Sequence, residues 1–164
     1  MSTRDDFLRR LDAVEARLAG LASKEPAPGA LTDADPGSGE RWDRGQVWAH
    51  LAEFIPYWIE QTRPILRGQP SGEPVPFGRT RNDPERIGAI ERDRHEAVST
   101  LWASTREDIT LLRTFLSGLS PDQWLDIGRH PMRGPMPVSE ITEEFLVGHL
   151  EQHADQLEAL TATR

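Results

Sequence analysis

Apolar residues recur at three- and four-residue intervals in four stretches of the chain, separated by polar segments rich in proline and glycine. The first stretch, about Thr3 to Ala22, puts Phe7, Leu8, Leu11, Val14, Leu18 and Leu21 on one helical face. Thr3 is its expected N-cap. The segment after it, SKEPAPGALTDADPGSGE, has no apolar period and reads as a long surface loop. A second helix opens at Asp43, which forms a capping box with Gln46 three residues on. Its inward stripe is Val47, His50, Leu51, Phe54, Tyr57 and Trp58, and it ends near Arg67-Gly68. Pro56 removes the backbone bond to Ala52 and is expected to kink it.

A second long loop spans Gln69 to Asn82. The third helix starts on Asp83 as N-cap with Pro84 at the first helical position, and its apolar stripe continues to Gly118. At 1.5 Å per residue it would be about 50 Å long, a length that admits a break or a frayed first turn. His95 lies at the edge of its stripe and reads as structural. Ser120 to Trp124 is a turn or short helical piece, and RHPMRGPMP is a loop carrying His130. The fourth helix, Ser139 to Leu160, carries Ile141, Phe145, Leu146, Leu150, Leu157 and Leu160 inward. No strand-like alternation of useful length is present. The pattern therefore predicts an all-α fold: one domain over residues 1–164, an antiparallel four-helix bundle with long loops between helices one and two and between two and three.

Composition narrows the function. The chain has 164 residues, a net charge of −8, no cysteine, and Lys24 as its only lysine. An acidic chain without a basic stripe argues against nucleic acid and anionic membrane as partners. The absence of cysteine excludes thiolate ligands and a cysteine nucleophile. MSTRDDFLRR lacks the apolar core of a signal peptide, and no run is long enough to span a membrane, so a soluble cytoplasmic domain is expected.

The chemistry concentrates in the fourth helix, at His149-Leu150-Glu151-Gln152-His153. Imidazoles four residues apart lie about 40° from each other around a helix and roughly 6 Å apart along it, so both can reach one metal ion. Two hydrogen-bonded core histidines are the competing reading. His50 adds a third inward imidazole from the second helix. If helices alternate up and down, helices two and four run parallel and the three rings sit at similar depth. Three nitrogens would then leave an open fourth position, as catalytic zinc sites do. This is not the zinc-protease motif, because Leu150 stands where that motif has its glutamate. Glu53, one turn after His50, and Tyr57, two turns after it, are the candidate catalytic residues. Glu53 can hold an imidazole tautomer, act as a base for bound water, or simply pair with an arginine. Arg79, Arg81 and Arg86 can bind a substrate carboxylate or form a solvated edge.

VWAHLAEF, RHPMRGPMP and VGHLEQHADQLEAL together resemble the DinB-like superfamily of metal-binding four-helix bundles, over nearly the whole chain. His50, His149 and His153 match the family's ligand positions one by one. The resemblance implies a divalent metal, zinc or nickel, and a homodimer. It also implies chemistry on a small-molecule substrate with a low-molecular-weight thiol, since relatives include mycothiol-dependent maleylpyruvate isomerases and bacillithiol transferases. One departure is Pro137, where a capping Thr or Ser is common. A metal-dependent transferase or isomerase, a metal-dependent hydrolase, and a non-catalytic metal-stabilised dimeric bundle all remain open on this reading.

Overall fold

A computed structural model describes residues 1–162. Helix α1 (Thr3–Leu21) begins one residue earlier in its cap than expected. Ser2, not Thr3, is the N-cap, and it forms a reciprocal capping box with Asp5. Helix α2 (Arg44–Arg67) starts on the expected Asp43–Gln46 box and stops at Gly68 with φ 66°, a conformation open to glycine. It runs through both Pro56 and Pro64 without being terminated.

The long third helix is two helices, α3 (Pro84–Asp93) and α4 (Val98–Ser117). Asp83 caps α3 as expected, its side chain accepting from the Arg86 N–H at 3.0 Å. The break is made where the end of α3 meets the start of α2. The Arg94 guanidinium donates to Asp43 at 2.7 Å, and a Cβ on Gly45 would lie 2.2 Å from the Arg94 carbonyl oxygen. Ala97 is extended at ψ 134° and restarts the helix without a side-chain cap. His95, expected at the edge of the helical stripe, is exposed in the break.

Three short strands correct the strand-free expectation. They are β1 (Val75–Pro76), β2 (Ile127–His130) and β3 (Gly134–Pro137), in the order β1-β2-β3. β1 pairs parallel to β2, with Val75 opposite Gly128; β2 pairs antiparallel to β3, with Gly128 opposite Met136. Strands of two to four residues, loaded with Gly and Pro, cannot display an alternation. Gly128 sits in close packing, where a Cβ would lie 2.4 Å from Ile65 Cδ1 and 2.7 Å from Phe77 Cδ1. A short 3-10 turn (Gln123–Leu125) precedes the hairpin.

The fourth predicted helix is also divided, into α5 (Val138–Phe145) and α6 (Val147–Thr161), at Leu146 with φ −125° and ψ −91°. Pro137 is the N-cap of α5 and supplies no side-chain acceptor. α1 packs on α4 and α6, and α2 packs on the same two, so the ring order is α1-α4-α2-α6. Contacts give the directions. Arg10 meets Glu151 and Arg17 meets Glu158, so α1 and α6 run parallel. Trp48 meets Trp102 and Arg63 meets Phe115, so α2 and α4 run parallel. Residues 50, 54 and 58 of α2 face 153, 149 and 145, so α2 and α6–α5 run in opposite directions. The simple up-and-down alternation, in which the second predicted helix (α2) would run parallel to the fourth (α5–α6), is thus corrected. The connection from α1 to α2 crosses the bundle diagonal, and its long loop makes that crossing feasible. Among the described residues, no helix is long and apolar enough to cross a membrane.

Candidate metal centre

His50 sits in the second turn of α2, where Val47, Leu51 and Phe54 pin the helix face inward. His149 and His153 open α6. Their placement depends on the break at Leu146, where the backbone is so close that a Cβ on Gly148 would lie 2.1 Å from the Glu143 carbonyl oxygen. Glycine at 148 is what lets this irregular turn close immediately before His149. The opposed directions of α2 and α6 then bring the three rings together. His50 Nε2 is 2.9 Å from His149 Nε2, and His153 Nε2 is 3.0 Å from it. One nitrogen from each ring lies within 4.8 Å of the others. The depth coincidence inferred from parallel helices is therefore reached by antiparallel ones.

The outer edges of the rings set the tautomers. His153 Nδ1 donates to Gln156 Oε1 at 2.7 Å, which leaves its Nε2 lone pair facing inward. Glu53 Oε2 lies 2.9 Å from His50 Nδ1, within ion-pair reach, but off the line of a well-formed hydrogen bond. Burial lowers the pKa of all three imidazoles, and their mutual proximity adds to it for His50 and His149. His153 is lowered to about 4. Three neutral rings with convergent lone pairs repel one another unless a proton or a cation lies between them. That donor set fits a divalent ion of the nitrogen-preferring kind.

Glu53 is also the partner of Arg79, whose guanidinium donates to Oε2 at 2.8 Å; the two side chains are only 10% and 7% exposed. Burial raises the Glu53 carboxyl, opposed by the Arg79 charge. Glu53 meets His50 on the edge away from the convergent nitrogens. Tyr57 lies beneath the Arg79 guanidinium at 4.0 Å, and burial raises its phenol. Neither Glu53 nor Tyr57 lines the cavity beside the triad.

That cavity has a volume of about 630 Å³ and is lined by the three histidines, Trp42, Arg86 and Gln156, among others. Its outer wall is the long loop between α1 and α2, which has no apolar period. Thr32 N–H donates to the Trp42 carbonyl at 2.8 Å, the Thr32 hydroxyl accepts from Trp42 N–H at 2.9 Å, and Asp35 accepts from the Gly37 and Ser38 N–H groups. Trp42 then lies near-parallel to the His153 ring, at 12°, and edge-on to His50. The sequence reading missed Trp42 as a site residue. The available signal was a large aromatic immediately before a helix N-cap, where it packs back onto the first turns.

The three arginines separate. Arg79 belongs to Glu53, and Arg81 pairs with Asp35 at 2.5 Å on the surface. Arg81 and Arg86 both line the cavity of the histidines, and of the two only Arg86 lacks a carboxylate partner among the described residues. His130 is buried elsewhere, under the hairpin, with its ring stacked on Phe145 at a centroid distance of 5.0 Å.

Comparison with known proteins agrees with this architecture. YfiT from Bacillus subtilis, described as a probable metal-dependent hydrolase with an unusual four-helix bundle topology, matches with a TM-score of 0.73. Its identity is 18%, over 96% of this chain and 85% of that one. A mycothiol-dependent maleylpyruvate isomerase matches with a TM-score of 0.66 and 17% identity, over 96% of this chain and 61% of that one. This chain therefore spans less than two thirds of the isomerase. At such identities the likeness is one of fold. No curated protein matches the chain. Residues 2–157 match the DinB superfamily, and the chain belongs to it.

Proposed function

We propose that this protein is a metal-dependent enzyme in which His50, His149 and His153 hold one divalent ion, zinc or nickel, and that it acts on a small molecule together with a low-molecular-weight thiol. The observation that carries the reading is the convergence of three neutral Nε2 atoms on one point beside an open cavity. An ion bound there supplies a Lewis acid that keeps its full charge and lowers the pKa of a thiol or water reaching its open position. The chain's own part is to position. Gln156 holds His153 in one tautomer, Glu53 biases His50 toward the same one, and Arg79 keeps Glu53 in place over Tyr57. Trp42 and its loop wall the cavity and limit water.

Transfer or isomerisation through a thiol is favoured over hydrolysis by the position of Glu53. A hydrolase that uses a protein base to activate water would have it on the cavity side of the ligands, and this carboxylate lies on the far edge of His50. A purely structural ion accords less well with a cavity of about 630 Å³ open at the nitrogens. The test is cobalt substitution followed by titration with a mycothiol or bacillithiol analogue. A sulfur-to-cobalt charge-transfer band, absent in His153→Ala, is the expected result. A cobalt spectrum indifferent to every thiol tried would sink the thiol reading.

A further inference from the structure

Arg86 stands in the first turn of α3, with its backbone N–H held by the Asp83 cap at 3.0 Å, so its side chain leaves a rigid base. Its guanidinium lies 5.4 Å from the centre of the Trp42 ring, and its Nη1 donates to the Arg81 carbonyl at 3.0 Å. Among the described residues it has no carboxylate partner. Glu53, the buried acid nearest in character, is already taken by Arg79, and Arg81 takes Asp35. Glu40 and Asp33 lie at the exposed rim, and Asp155, also on the cavity wall, is held by Arg17 at 2.5 Å. A half-buried guanidinium with most of its five N–H donors unspent is costly to leave so.

The three histidines in the same cavity are neutral and Arg81 is paired with Asp35, so among the described residues Arg86 is the positive charge on the cavity wall that no carboxylate holds. A planar guanidinium set over an aromatic ring, as Arg86 is over Trp42, offers a two-pronged edge that matches a carboxylate. We infer that Arg86 is the anchor for a carboxylate group of the small molecule that occupies this cavity, and that Trp42 and the Arg81 carbonyl hold its guanidinium in the binding orientation. The inference rests on the reading of the cavity as a substrate site, but not on the identity of the metal or on the thiol. Arg79 and Arg81 are excluded from this role by their own carboxylate partners.

The experiment is calorimetric titration with straight-chain carboxylates of about three to six carbons, each against its primary amide. The amide keeps the shape and removes the charge. It is run on the protein as purified and after chelation, for wild type, Arg86→Gln, Arg86→Lys and Arg81→Gln. Wild type is expected to prefer the carboxylate by about tenfold or more, with or without metal. Arg86→Gln should lose that preference while its amide binding and metal content stay unchanged. Arg86→Lys should keep part of it, and Arg81→Gln nearly all. Equal binding of carboxylate and amide by wild type, or an undiminished preference in Arg86→Gln, would overturn the inference. A preference that disappears on chelation and ignores Arg86→Gln would place the anion on the ion, overturning Arg86 as anchor while leaving the metal reading intact.

Discussion

Two buried histidine environments lie within this bundle, and hydrogen-bond accounting distinguishes them. His130 spends both ring nitrogens on backbone: Nδ1 accepts from the Met132 and Arg133 N–H groups at 3.2 and 3.3 Å, and Nε2 donates to the Arg79 carbonyl at 3.2 Å. Phe145 and Trp58 close over its faces. Nothing is left for a ligand. In the triad the outer nitrogens of His50 and His153 have side-chain neighbours, while the inner three have only one another. Burial lowers the pKa in both places, so a shifted pKa does not separate a packing histidine from a ligand. The direction of the unspent lone pairs does.

The hardest blow to this distinction would be symmetric behaviour on mutation. His50→Ala, His149→Ala and His153→Ala should each reduce metal content by about a hundredfold in affinity or more, since each removes one of three ligands. Plasma emission spectrometry on protein purified without added metal should find about one ion per wild-type chain. His130→Ala should retain it. A triple variant that keeps the ion would show that the triad is not the site. Glu53→Gln sharpens the same comparison at lower amplitude. If the carboxylate biases the His50 tautomer, metal affinity should fall about 10- to 100-fold with stoichiometry preserved at saturation. A titration indistinguishable from wild type would leave Glu53 as only the partner of Arg79.

What could be read in the sequence follows how local the physics is. The Asp43–Gln46 box and the Asp83-Pro84 start were legible because a cap is made by residues within one turn. The His149–His153 pair was legible for the same reason. Helix direction was not, because it depends on how a long loop crosses the bundle, and proline-rich loops carry no record of that. The partition of Arg79, Arg81 and Arg86 was hidden likewise, since it turns on which carboxylates the fold brings near: Glu53, from a helix 26 residues away in sequence, and Asp35, from a loop 46 away. The break at Leu146 left a trace in Gly148, which an amphipathic pattern passes over.

That glycine gives the next prediction. A methyl at 148 meets a carbonyl oxygen at 2.1 Å, backbone that cannot turn aside as a side chain can. Gly148→Ala should cost about 1–3 kcal/mol of stability, the range of an overpacked site, and weaken metal binding by displacing His149. Gly88→Ala, where a Cβ meets nothing within 4 Å, is the matched control and should be neutral or slightly stabilising. Chemical denaturation with metal titration checks both. Equal effects at the two positions would refute the account of the break.

The smallest expected effect concerns His130 and pH. Burial lowers its folded-state pKa below the ordinary 6.5, and the neutral ring is needed because Nδ1 must accept from two N–H groups. The unfolded chain therefore binds a proton here more readily than the folded one. The contribution to stability is full above about pH 6.5 and is lost as pH falls through the window between the unfolded and folded values. In His130→Asn the amide oxygen can still accept from the following N–H groups and does not titrate there. The variant loses the stacking on Phe145 and the bond to Arg79, about 1–2 kcal/mol at pH 7.5. That deficit should shrink as pH is lowered towards 5, because only the wild type then gives up its histidine contribution. The triad histidines titrate in the same sense in both proteins, so they cancel in the difference. A deficit constant with pH would mean that His130 holds its proton equally in the folded and unfolded chains, and the hairpin would then be held by packing alone.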